Sequence, residues 1–461
     1  MKVLALGYAP LPFENGRMNY ASSLRTWHFC SQMVKAGHDV MLLGCRIPAA
    51  YENESSLSPE LTFKRGRLTY RSLAPVLFED THYVQNVHDG FKPDCLVGIT
   101  AYPSSRAALV KSDKPMWADL FGHVMAEAQA KAAVYSDDIY LGYFWDQELK
   151  VLIRADVFSA VSNPQRYALV GELGAIHRLS SRTSGYEFVH VIPIGVEPTK
   201  PVHDLDVIRG RLAGKGDFVV LWSGGYNTWA DVETLFRGLE KAMSKNPRIK
   251  FVSTGGAIFG HDEKTYPAFM KMVEKSRYKK NFAFAGWVKT REVHNYFLES
   301  DVGINVDKPC YETVLGARNR ISEMLRAGLP VITTRGTEIA SEVEANGLGF
   351  AFNPSDSDAL CDALLKLASD KKLRMGMAGK AERYALSHLS YGVITKPLLE
   401  WAANPRRAPD HQELAGRPGK ADQPLRKRDV VKKYFNLLRE EGLINTNLKA
   451  VRFLKKKVLK H

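Results

Sequence analysis

Short apolar runs alternate with helix-period segments along most of this chain, and no other feature limits its fold so narrowly. In the first half the runs read as strands at Lys2–Leu6, Asp39–Leu43, Cys95–Thr100, Pro115–Leu120, Asp156–Ser162 and His190–Pro193. In the second half they fall at Phe218–Trp222, Lys250–Thr254, Phe282–Gly286, Val302–Val306, Pro330–Thr333 and Gly349–Phe352. Phe218-Val219-Val220-Leu221-Trp222 lacks any polar alternate, as a parallel strand covered on both faces requires. Between the first two strands, Leu24, Trp27, Cys30 and Val34 share one helical face, and Gly37 closes that helix. Further helices are expected at Asp231–Met243, Arg318–Ala327 and Ser357–Ala368. The expected class is α/β, with two Rossmann-like, doubly wound domains facing a cleft and a basic helical C-terminal tail. Ligands of such sheets sit beyond the carboxyl ends of the strands, so function is sought in the loops that follow them.

The segment Ile192-Pro193-Ile194-Gly195-Val196-Glu197-Pro198 sets two prolines around a glycine and reads as a hinge. It divides an N-terminal domain, residues 1–197, from a second domain, residues 198–403. A Pro-, Gly- and charge-rich linker follows at 404–424, then a tail at 425–461. The net charge of +14 gathers largely beyond Arg406, in Arg426-Lys427-Arg428, Lys432-Lys433 and Lys455-Lys456-Lys457. There Val430, Val431, Tyr434, Leu437 and Leu438, then Leu448, Val451, Leu454 and Val458, recur at helical spacing among the cations. A basic amphipathic helix of this kind lies on an anionic membrane surface, or packs on its own domain with its cations in water. The tail shows no nucleic-acid module. The five cysteines are scattered without a C-x-x-C pair, which points to neither a disulfide framework nor a zinc site. No apolar run approaches the roughly 18 residues of a membrane span, and Met1–Gly7 is too short for a signal-peptide core. The expected location is cytoplasmic.

Three loops carry candidate chemistry. The first, Gly7 to Arg17, brings Gly16 and Arg17 ahead of a helix, where backbone N–H groups and the helix dipole favour an anion. It contains no G-x-G-x-x-G, so a nicotinamide dinucleotide fingerprint is absent. The second, Ser223 to Asp231, holds Gly224 and Gly225, which permit close backbone approach to a phosphate. Thr228 with Asp231 reads there as a variant capping box, and Trp229 as an exposed ring. The third, Pro309 to Val331, places Arg318 and Arg320 at a helix entrance and Glu323 one turn inside. Solvated arginines and a dipole-favoured glutamate would explain the same pattern. Asp204-Leu205-Asp206 and Asp356-Ser357-Asp358 are D-x-D patterns, but one lies in the connector and the other at a helix start, so both read as structural and no metal is expected.

At this third loop the sequence resembles the retaining glycosyltransferases of GT-B fold, the large family-four group. Ser322-Glu323-Met324-Leu325-Arg326-Ala327-Gly328-Leu329-Pro330-Val331 matches the second half of their paired-glutamate signature. Val191–Val196, Phe284–Val288, Ser300–Gly303 and Ala155–Ser162 add to the likeness, which covers about residues 1–403. The position of the first signature glutamate is Leu315, with Glu312 the nearest substitute. The Arg and Lys expected after the glycine loop are also missing, and Trp229 and Asp231 occupy that region. The resemblance implies a nucleotide-sugar donor and a saccharide or lipid-linked acceptor on the N-terminal side, with no cofactor, metal or nucleic acid. It implies that Glu323 binds the ribose, and that Trp287 and Val288 border the base. His123 stands near the donor sugar with Glu127 a turn on, and Arg318 and Arg320 serve the diphosphate. Front-face transfer would need no protein nucleophile. Surface polysaccharide or glycolipid synthesis is the implied setting, and a catalytically inactive sugar-nucleotide-binding or scaffold protein is the rival.

Overall fold

The computed structural model describes residues 1–14, 17–51 and 57–414. The first sheet has eight strands: β1 (Lys2–Ala9), β2 (Asp39–Arg46), β3 (Glu60–Arg65), β4 (Leu68–Leu73), β5 (Cys95–Ile99), β6 (Met116–Leu120), β7 (Val157–Ala160) and β8 (Val189–Val191). Their order is β3-β4-β2-β1-β5-β6-β7-β8, with β3 and β4 antiparallel and the rest parallel. The second sheet joins β9 (Phe218–Trp222), β10 (Ile249–Thr254), β11 (Phe282–Gly286), β12 (Val302–Asn305), β13 (Val331–Thr334) and β14 (Gly349–Phe352) in the order β11-β10-β9-β12-β13-β14, all parallel. The order reverses beside β1 and beside β9, and these two switch points face the cleft.

The apolar runs are explained by a core on each face of each sheet. Along β1, Val3 and Ala5 pack into one cluster, and Leu4 and Leu6 into another across the sheet. Along β9, Phe218, Val220 and Trp222 face one way and Val219 and Leu221 the other. A strand with apolar neighbours on both sides has no solvent face on which to place a polar residue.

The chain does not divide as the sequence reading expects. After the second sheet, the short helices Tyr391–Ile394 and Lys396–Ala403 return to the first domain, where Tyr391, Ile394 and Leu398 join the cluster around Val3 and Ala5. Residues 391–403 therefore complete the first domain's core. The start of the expected linker is also built in. Ala408 is fully buried against the first sheet, and Asp410 takes a bidentate bond from the buried Arg178 at 2.8 and 3.0 Å. The rest of the linker from residue 415, and the tail, lie outside the described residues. The hinge itself is stitched to the returning chain: Val196 N–H bonds to the Leu389 carbonyl at 2.8 Å, and Tyr391 N–H to the Val196 carbonyl at 3.1 Å.

Candidate active site in the interdomain cleft

Between the domains lies a cleft of about 1360 Å³. Its floor on the second domain is glycine. Gly224 has φ +89°, and Gly255, at φ +84°, backs onto it so closely that a Cβ there would stand 2.4 Å from the Gly224 carbonyl carbon. Only two glycines let the loops after β9 and β10 touch.

Beyond β12 the chain turns through Asp307, the short helix Tyr311–Leu315 and Gly316 into the helix Asn319–Arg326. Here the two arginines part. Arg318 is buried, giving Nε to Asp307 at 2.7 Å and a two-pronged bond to Glu312 at 2.9 and 2.7 Å. Burial alone would lower its pKa, but these two carboxylates outweigh it and hold the group charged. Its charge is thus spent on fixing Glu312, whose own pKa burial raises against Arg318's pull. As the cation of a diphosphate clamp, Arg318 is the wrong choice: two acids with one base leave this trio net negative.

Arg320 is the open cation. It lies over the Trp222 ring at 4.0 Å and donates Nη2 to the Gly225 carbonyl at 2.6 Å, while its buried Nη1 has no partner. Burial brings it down to about 10, so it stays charged at neutral pH. It faces the cleft together with the N-terminal turn of its helix and the Gly224–Gly225 loop. Glu323 lines the same wall, with Oε2 held by Arg326 at 2.8 Å and its pKa raised by burial. Trp229 is half-buried rather than exposed, edge-on to His261 at 6.0 Å. Trp287 is half exposed at the rim, donating Nε1 to the Ala257 carbonyl, with Val288 beside it.

Across the cleft two of the expected residues face elsewhere. His123 is turned inward. It caps the helix Val124–Tyr135, Nδ1 accepting from Ala126 N–H at 3.2 Å, and its Nε2 lies 3.0 Å from Glu172. Burial acts to lower its pKa, but the Glu172 hydrogen bond and the Glu148 charge prevail and raise it. The cleft-facing group is Glu127, one turn on, pushed up to about 8 by burial and then by the charge of Glu312. Arg17 also turns away, stacking on Tyr51 at 3.9 Å and lying 3.6 Å from Glu14. Gly16 lies outside the described residues. Thr228 does not cap the next helix: Asp231 does, accepting from Thr234 N–H at 3.0 Å, and Thr228 Oγ1 is buried without a partner. Both D-x-D pairs have other work: Asp204 accepts from Asn295 at 2.7 Å, Asp206 lies 3.6 Å from His203, Asp356 caps a helix, and Asp358 pairs with Lys241.

This arrangement sets a cationic helix entrance over a glycine floor, opposite a carboxyl whose pKa burial raises, between two doubly wound domains. Residues 217–370 match the family described as Glycosyl transferases group 1. The fold is GT-B. Sucrose-phosphate synthase from Thermosynechococcus elongatus superposes at a TM-score of 0.66 with 14% identity, over 87% of this chain and 98% of that one. An E. coli trehalose-6-phosphate structure bound with UDP-2-fluoro glucose gives 0.63 with 12% identity, over 88% and 100%. Anabaena HepE, in complex with UDP and glucose, gives 0.57 with 15% identity, over 87% and 99%. No curated protein matches the chain in sequence.

Sequence reasoning gave Asp307 no part in the site. An acid just past the end of an apolar strand, in Val306-Asp307-Lys308, is its one visible signal. Tyr8 and Tyr102, stacked at 6.2 Å on the N-terminal wall, were also given no role from the sequence.

Proposed function

We propose that the protein transfers a sugar from a nucleoside-diphosphate sugar to an acceptor, with retention of anomeric configuration. One observation carries the reading: a charged, cleft-facing Arg320 with an unpartnered Nη1, at a helix N-terminus beside a double-glycine loop. That is the donor set a diphosphate needs, a guanidinium fork together with orphan amides. Glu323 would receive the ribose hydroxyls, and Trp287 and Val288 would border the base. Arg318 orients Glu312 toward the donor sugar, and Glu127, neutral at pH 7, offers a proton donor on the facing wall. Catalysis then consists of positioning the acceptor and stabilising the leaving diphosphate, whose oxygen takes the acceptor's proton; no cofactor or metal is assigned to that step. The tyrosine-lined N-terminal side would seat a saccharide or lipid-linked acceptor, in surface polysaccharide or glycolipid synthesis in the cytoplasm. Attachment to an anionic membrane would fall to the tail.

Thermal unfolding with UDP, GDP, dTDP, CMP and ADP, each alone, tests the donor site. A ligand at a hundred times its dissociation constant stabilises the fold by about 2.7 kcal/mol. One nucleotide should raise the midpoint in wild type and leave Glu323→Ala unmoved. No response from a folded protein would remove the reading. The full engagement of Glu312 by Arg318 favours a second reading, a donor-binding protein without turnover; release of nucleotide from donor in the presence of acceptor separates the two.

A further inference from the structure

Behind the N-terminal wall of the cleft, three helices bring together a buried polar cluster that the proposed transfer does not use. His123 comes from the cap of the helix Val124–Tyr135, Glu148 from the helix Leu141–Arg154 and Glu172 from the helix Asn163–Ala175. One nitrogen of His123 and one oxygen of each glutamate all lie within 4.8 Å of one another. Glu148 is 1% exposed, and neither of its carboxylate oxygens has a hydrogen-bond partner; Glu172 Oε2 is buried without one as well. Removing a carboxylate from water without giving it a partner is among the most unfavourable things a fold can do. Here two carboxylates and an imidazole point at one another with three oxygens unsatisfied.

We propose that His123, Glu148 and Glu172 bind one divalent transition-metal cation. Two carboxylates balance its two positive charges, and a neutral imidazole completes a one-nitrogen, two-carboxylate set. Such a set suits zinc, manganese or iron, whereas magnesium and calcium prefer oxygen ligands throughout. The ring is already aimed, since Nε2 meets Glu172 at 3.0 Å. The Ala126 amide, which Nδ1 accepts at 3.2 Å, also bonds to the His123 carbonyl at 3.0 Å. Ligation through Nε2 moves the ring proton to Nδ1, which can then no longer accept from Ala126, so the ring must turn away from that amide; the amide keeps its bond to the His123 carbonyl. The sequence conceals the set because each ligand belongs to a different helix, with no short spacing to read. The site is distinct from the D-x-D patterns and departs from the expectation of no metal. Its cation would tie three helices together and hold Phe121 and Gly122, which line the cleft, without touching the substrate.

The test uses the full chain, stripped with a chelator and titrated with divalent zinc, manganese and cobalt, each alone. Metal analysis after gel filtration should find one equivalent of at least one ion, with a higher unfolding midpoint and, for cobalt, visible ligand-field bands. Glu148→Gln and Glu172→Gln, close in shape to wild type, should each lose the bound equivalent while keeping the far-ultraviolet spectrum. If Glu148→Gln does not fold, Glu172→Gln decides, since that side chain is 18% exposed and its loss disturbs packing less. A folded, stripped wild type that takes up no stoichiometric ion overturns the proposal, and so does a glutamine variant that binds as wild type does.

Discussion

Arg318 and Arg320 stand two positions apart at one helix entrance, yet only Arg320 keeps a buried guanidinium nitrogen without a partner. Replacing Arg320 by Ala should abolish the nucleotide-dependent rise in midpoint and lower kcat/KM by about 10²–10³, the loss expected when one preorganised donor to a developing charge is removed. Arg320→Lys should recover part of the loss, because an ammonium supplies the charge without the fork. Steady-state kinetics with the nucleotide sugar that responds in the unfolding assay would measure both. Arg318→Ala acts differently, since it leaves Asp307 and Glu312 buried without the cation that pairs them and should destabilise the fold. At this scale the sequence named Glu312, Arg318, Arg320 and Glu323 but not their directions, and it gave Asp307 no part. Asp307, the Gly225 carbonyl and Glu172 decide what Arg318, Arg320 and His123 can do, and sheet topology rather than local spacing brings Gly225 and Glu172 to their partners.

Elements were more legible than side chains. The parallel strands announce themselves because burial on both faces leaves unbroken apolar runs, as in β9. The hairpin of β3 and β4 does not, since an edge strand such as Glu60-Leu61-Thr62-Phe63-Lys64-Arg65 carries charge like a loop and turns through Gly66 at φ +56°. The three helix starts that were given, Asp231, Arg318 and Ser357, fall within a residue of those observed, though most other helices were not placed and the capping residue was misassigned after β9. Asp231→Ala should therefore cost about 1 kcal/mol, a fall in midpoint of about 2–4 °C, while Thr228→Val should cost nothing or gain a little by removing an unsatisfied hydroxyl. Thermal unfolding of the two variants distinguishes the cap from its neighbour.

For the whole molecule the governing feature is that the chain crosses between domains twice, at Ile192–Pro198 and again near Leu389–Tyr391, and the two crossings are bonded side by side. His28 sits against this seam, stacked on Tyr391 at 3.2 Å and 3.6 Å from Glu197. Burial lowers its pKa to about 4; Glu197 opposes the shift, and Arg25 and Arg326 add to it. A histidine kept neutral in the fold contributes stability above its ordinary 6.5, and that contribution is lost as pH falls towards 4. His28→Phe, which keeps the stacking, should flatten the acid limb of a stability–pH curve by up to about 1.4 kcal/mol per pH unit. Denaturant unfolding across that range would show it. The double crossing also bears on how the protein is made. A domain that begins a chain ordinarily closes while still emerging from the ribosome. Here Tyr391, Ile394, Leu398 and Ala408 belong to the first domain's core, and the strands of the second sheet all precede them. All eight strands of the first sheet can therefore pair before the second sheet is made, but the core beneath them stays open until residues 391–408, which follow the second sheet, are in place.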